Sequence, residues 1–188
     1  MWQANRLLRL AVFSSLAVLA LMIPASARQW NPDPRAAAGD YTLIFHSKGP
    51  TQVVAVWWAA PEAFIGAPNA QSIQDALSRY VVVGVADGRV TGPGAPMTFP
   101  PIQDLKVADA SGRQLSPLAA NATPPQMTET MTTLQGLARQ SLGPLGQGMR
   151  WFVFDGSTIH SCQPGKLSVP YGGETYVFDT PIPGCAKP

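Results

Sequence analysis

The sequence predicts an α+β domain, mainly antiparallel β: sandwich-like sheet with one long helix, one short helix and a C-terminal β-meander. Three observations lead there. Proline (19) and glycine (17) are abundant in 188 residues, which favours many short elements joined by turns. Runs rich in β-branched and aromatic residues cluster toward both ends of the chain, the composition of strands. One stretch, 123–142, sustains a helical period.

The elements follow in order. Arg6 and Arg9 precede an apolar run of 14 residues, Leu10 to Ile23, broken by Pro24 and followed by Ala25-Ser26-Ala27. This is the pattern of a cleavable signal peptide, residues 1–27, with cleavage after Ala27. A helix of that length spans about 21 Å, short of the ~30 Å hydrocarbon core, so an uncleaved anchor is the weaker reading. Residues 28–188 then form one exported domain, in the periplasm or secreted, with no stable membrane span after cleavage.

After a Pro- and Ala-rich lead-in, Tyr41 to His46 and Thr51 to Ala59 are strand candidates around the turn Lys48-Gly49-Pro50. Ile73, Ala76, Leu77 and Tyr80 share one helical face, with Asn69 as N-cap. Val81 to Ala86 reads as a strand buried on both faces, ended by an Asp87-Gly88 turn. Ile102 to Asp109 alternates as a half-buried strand, turning at Ser111-Gly112-Arg113. The long helix runs from Thr123 to Leu142. Thr123 and Gln126 make a capping box, Pro124 takes the first helical position, and Gly143-Pro144 ends it. Its apolar stripe, with Met127 and Met131, reads as core. Trp151 to Phe154, Ser157 to Cys162, Leu167 to Pro170 and Thr175 to Asp179 form the meander, turning at Asp155-Gly156, Pro164-Gly165 and Gly172-Gly173. Pro170 places the third of these strands near an edge. The Cys…Trp…Cys pattern of immunoglobulin domains is absent.

Charge narrows the partners. Without Arg6 and Arg9 the mature chain carries 11 basic and 11 acidic residues, from 13 and 11 in the whole. A neutral domain without a basic cluster is a poor ligand for nucleic acid or anionic membranes. Cys162 and Cys185, the only cysteines, are expected to bridge once exported, contributing about 3 kcal/mol for a loop of this size.

No phosphate loop, dinucleotide fingerprint, zinc-protease helix, nucleophile elbow or Cys-x-x-Cys is present, and no cofactor is implied. The remaining candidates are His46 and His160, both on predicted strands that a sheet could bring together. They could bind copper or zinc, or serve as a base with an Asp such as Asp155 or Asp179. Trp57 and Trp58 are adjacent on a strand, so their rings point to opposite faces, one of which an exposed ring could use to grip a partner. The stretch Gly92 to Pro101, with Met97 and Phe99, is a candidate binding loop. The expectation is an exported, non-catalytic envelope or secreted module that binds a protein or small ligand. A secreted hydrolase built on a His–carboxylate pair and a periplasmic copper- or zinc-handling protein are the alternatives.

Overall fold

The structure, a computed structural model, describes residues 27–29, 41–66 and 70–185. It is an α+β fold in three layers: two sheets face to face, and helices on the outer side of one of them. The strands are β1 (Ala27–Gln29), β2 (Leu43–Ser47), β3 (Gln52–Trp58), β4 (Tyr80–Arg89), β5 (Val107–Ala108), β6 (Gln114–Leu115), β7 (Arg150–Asp155), β8 (Gly165–Tyr171) and β9 (Glu174–Thr180). The helices are α1 (Ala70–Leu77), α2 (Pro125–Leu142) and the single turn α3 (Pro144–Gln147). The first sheet is ordered β2-β3-β4-β7 and the second β1-β9-β8-β5-β6.

The central strands β3 and β4 of the first sheet are buried on both faces, which explains their near-continuous apolar runs. On β4, Val81, Val83 and Val85 face the second sheet, while Val82 and Ala86 face the helices. The inner core adds Ile44, Val56, Trp58, Leu167, Val169, Tyr176 and Phe178. Burying a side chain such as Phe178 contributes about 1.5–3 kcal/mol. The outer core packs Met127, Leu134 and Ala138 of α2 and Ile73 and Leu77 of α1 against Trp57 and Val153. Gly84 lies where a Cβ would stand 2.7 Å from the Trp151 ring, so that ring can close over the sheet only because residue 84 has no side chain.

Several sequence expectations move. Of the predicted signal peptide, residues 1–26 lie outside the described residues, as does the N-cap Asn69. Ala27 opens β1, which pairs in parallel with β9. Asp87-Gly88 does not turn. β4 runs on to Arg89 with Gly88 opposite Val53, because side chains of both sheets hold Asp87. The strand predicted over Ile102 to Asp109 shrinks to β5, since Asp104 adopts a positive φ of 52° that breaks extended backbone. The capping box does not form. Pro125, which has no N–H to satisfy, takes the first helical position and Pro124 becomes the N-cap. Thr123 is displaced outward and donates to the Ala119 carbonyl at 3.2 Å.

The C-terminal meander reduces to the β8–β9 pair. β7 instead pairs antiparallel with β4 in the other sheet. Asp155-Gly156 makes no hairpin, because Asp155 Oδ1 accepts from the Ser157 backbone N–H at 3.0 Å and opens a loop. Residues 156–164 are therefore not a strand. Pro170 does sit toward an edge, since β5 reaches β8 only at Ser168. No helix among the described residues is long and apolar enough to cross a membrane.

Candidate functional site

The inner faces of the two sheets meet polar groups at both ends of the sandwich, in contrasting ways. One end is the tip of the β8–β9 hairpin. Strand phase places Gln52, His46 and Asp87 there on the inward side, in line with Val54, Ile44 and Val85. His46 Nδ1 lies 2.5 Å from Glu174 Oε2 and 3.4 Å from the Tyr176 hydroxyl. Asp87, 3% exposed, accepts from Gln52 Nε2 at 2.8 Å, Arg89 Nη2 at 2.9 Å and the Tyr171 hydroxyl at 3.1 Å. Lys48 Nζ donates to the Gly172 carbonyl at the hairpin tip. Three polar ties thus fasten the second sheet's hairpin to the first sheet.

Electrostatics there follow from burial and pairing. Burial raises the Asp87 pKa, but donation from Arg89, Gln52 and Tyr171 and the Arg89 charge outweigh it and hold the carboxyl below its ordinary value. Burial, then the Asp87 charge, push Tyr171 up to about 12. Near neutral pH, Tyr171 is a fixed donor and Asp87 a fixed acceptor.

The opposite end holds a cleft of about 580 Å³. One wall is the 3₁₀ turn Pro61–Phe64 and α1; the other is the loop after β7, with the Cys162–Cys185 disulfide. The expected cross-link is present, its sulfurs 2.00 Å apart. Trp58, Leu77, Val81 and Ile159 supply buried apolar surface to the cleft. Gln71, Asp75, His160 and Gln163 line its polar part, and Ile65, 63% exposed, stands on its rim. Glu62 also lines it. Its Oε2 is shut off from water and has no hydrogen-bond partner among the described residues. Its Oε1 lies 3.1 Å from Cys162 Sγ, and a disulfide sulfur has no proton to donate.

The two histidines are not brought together: His46 is at the hairpin end and His160 lines the cleft. His160 is on the loop, not on a strand. The carboxylate beside His46 is Glu174, rather than Asp155 or Asp179. Glu62, Cys162 and Cys185 place their potential ligand atoms within 4.8 Å of one another, but the bridged sulfurs are not thiolates and so are not metal donors. Both tryptophans are buried, Trp57 at 8% and Trp58 at 2% exposure. Trp57 stacks at a tilt on Trp151 under the helices, and Trp58 meets Phe178 edge-on between the sheets. Adjacent strand residues do point to opposite faces, and here both faces are covered. Met97 and Phe99 fold back against the outer core, so the Gly92 to Pro101 stretch is a packed connector there.

Sequence reasoning missed Glu62, Asp87 and Glu174. A signal existed for Asp87: it continues the inward phase of Val81, Val83 and Val85, where a polar residue demands partners. Glu62 sits in a short 3₁₀ turn with no period to reveal its direction.

Together these features define a disulfide-stapled α+β sandwich with one end tied by polar side chains and a cleft at the other. No family model, no curated protein and no solved structure matches the chain.

Proposed function

We propose that this chain is an exported, non-catalytic module that binds a ligand in the cleft between α1 and the disulfide-held loop. The observation that carries the reading is the cleft itself. It combines apolar surface, a polar lining and a carboxylate without donors in a volume within the ~300–1,000 Å³ range of small-molecule sites. Export rests on the leader pattern at residues 1–27 and agrees with a cross-link that oxidising compartments favour. The groups around the other end are spent on one another, which suits a structural tie.

N-terminal sequencing of the extracytoplasmic protein should begin at Arg28. Recovery with residues 1–27 attached and both thiols titratable would overturn the export reading. For binding, a fragment screen followed by amide NMR should give shifts gathered on Gln71, Gln74, His160 and Gln163.

A second reading, a hydrolase, draws on the His46–Glu174 contact of 2.5 Å. A carboxylate beside an imidazole is how enzymes orient a general base. The partners described for His46 are Glu174 and Tyr176, neither of them a serine or cysteine nucleophile. Turnover of an ester or peptide that is abolished in His46→Gln, while the fold is retained, would replace the binding reading with this one.

A further inference from the structure

We propose that the cleft selects a ligand bearing a primary ammonium group on an apolar stem; this rests on the cleft being the binding site. The charge of the lining gives the sign. Glu62 and Asp75 are its charged residues, and no Lys or Arg occurs among the described residues that line it. Asp75 is exposed and already accepts from Gln71 Nε2 at 2.8 Å, so it biases the field without being an empty site.

Glu62 is different. A carboxylate has about four acceptor positions, and among the described residues none is filled by a conventional donor. Oε2 is closed to water and Oε1 abuts the disulfide, so an ammonium in the cleft meets this carboxylate once the Glu62 side chain turns toward it. A buried acceptor left unmade is costly, and a charged donor gives the strongest bond to it. The apolar surface beside it, from Trp58, Leu77, Val81 and Ile159, fits a hydrocarbon stem.

A metal ion fits less well. Calcium takes six to eight oxygens and structural zinc four ligands, whereas both neighbouring sulfurs are bridged. An ammonium needs only three acceptors, and the cleft lining offers Glu62 together with the side-chain carbonyls of Gln71, Gln74 and Gln163. The same chemistry is offered by a free alkylamine and by a lysine side chain of a peptide.

The test titrates the disulfide-intact mature protein with hexylammonium, hexanol and hexanoate, following amide shifts. Hexylammonium should perturb Gln71, Asp75, His160 and Gln163 and bind about tenfold tighter than hexanol, with hexanoate weakest. Glu62→Gln should erase that preference while keeping the spectrum of the folded protein, and Asp75→Asn should reduce it only slightly. A short peptide with one lysine, compared with its norleucine counterpart, separates the sources. A lysine preference larger than that for hexylammonium assigns a peptide, and the reverse assigns a free amine.

If hexanol and hexylammonium bind the cleft equally, the charge selection is wrong and the cleft reading stands. If no probe shifts cleft residues, both fall. Zinc or calcium displacing hexylammonium through Glu62 at micromolar concentration would also overturn the proposal, in favour of a metal site.

Discussion

At the hairpin end of the sandwich, Asp87 accepts from three side chains and His46 lies against Glu174. At the disulfide end, Glu62 keeps an oxygen with no donor among the described residues, beside an open cleft. The two ends are built from the same strands: β4 carries Val81 at the cleft and Asp87 at the seal. A sandwich must stop somewhere, and its apolar inner faces then meet water. One solution is to cap the core with polar side chains that satisfy each other across the sheets, which costs little and fixes their separation. The other leaves the mouth open, holds it with a covalent staple, and tolerates an unmet group. Violations of local satisfaction concentrate where proteins bind and react, and this contrast is what the proposed binding role of the cleft end rests on.

Breaking the staple should have the largest effect. Replacing both Cys162 and Cys185 by Ala should lower unfolding stability by about 3 kcal/mol, measured by urea titration. Because the disulfide ties the loop after β7 to the segment after β9, hydrogen exchange should accelerate first at Ile159 and Ile182, with the hairpin end unmoved. Equal acceleration at Tyr171 and Glu174 would mean the ends are not independent.

The seal comes next. Asp87→Asn should cost about 2 kcal/mol at pH 7, since it removes charged hydrogen bonds and sets an amide N–H₂ against donors. Little of that comes from Arg89, whose side chain is 54% exposed and well screened. The remainder comes from Gln52 and Tyr171. The pH dependence has a definite sign. The folded carboxyl titrates below its unfolded value, so its contribution is complete above about pH 5 and is lost as pH falls through the folded pKa. Urea midpoints of wild type and variant should converge between pH 5 and the acid limit (about pH 2). A gap that stays constant across that window would contradict the pairing.

The sequence carries some of this contrast and hides the rest for physical reasons. The valine run of β4 and the face made by Ile73, Ala76, Leu77 and Tyr80 are legible because periodicity reports burial directly. The cysteine pair is legible because only one pairing exists. Sheet membership is not: Asp155-Gly156 has the composition of a tight hairpin, yet the Asp155 carboxylate captures the Ser157 N–H and sends the chain into a loop. β7 joins β4 rather than β8, a choice made by distant packing of Trp151 over Gly84. The seal is harder still. Glu174 and His46 lie in strands of different sheets, and nothing in their local sequence announces the meeting. Asp87 was readable only by treating an inward-phase polar residue as a debt to be met, against the stronger local turn signal of Asp-Gly. Polar clusters made across layers have no sequence spacing, and that is why neither end is legible in the chain alone.

The smallest effect is the most discriminating, because it has the opposite sign. If Glu62 were a structural residue like Asp87, neutralising it would destabilise the fold. Its carboxylate has a dehydrated oxygen with no donor and a neighbour that cannot donate. Glu62→Gln removes the charge while keeping the shape, so the folded state should gain about 0.5 kcal/mol in the absence of ligand. Gains of this kind accompany residues retained for binding rather than for the fold. The measurement is a urea midpoint at pH 7. It is made beside Asp87→Asn so that the two shifts are read on one scale. A loss at Glu62 as large as that at Asp87 would make the cleft end another seal, and the asymmetry between the two ends would disappear.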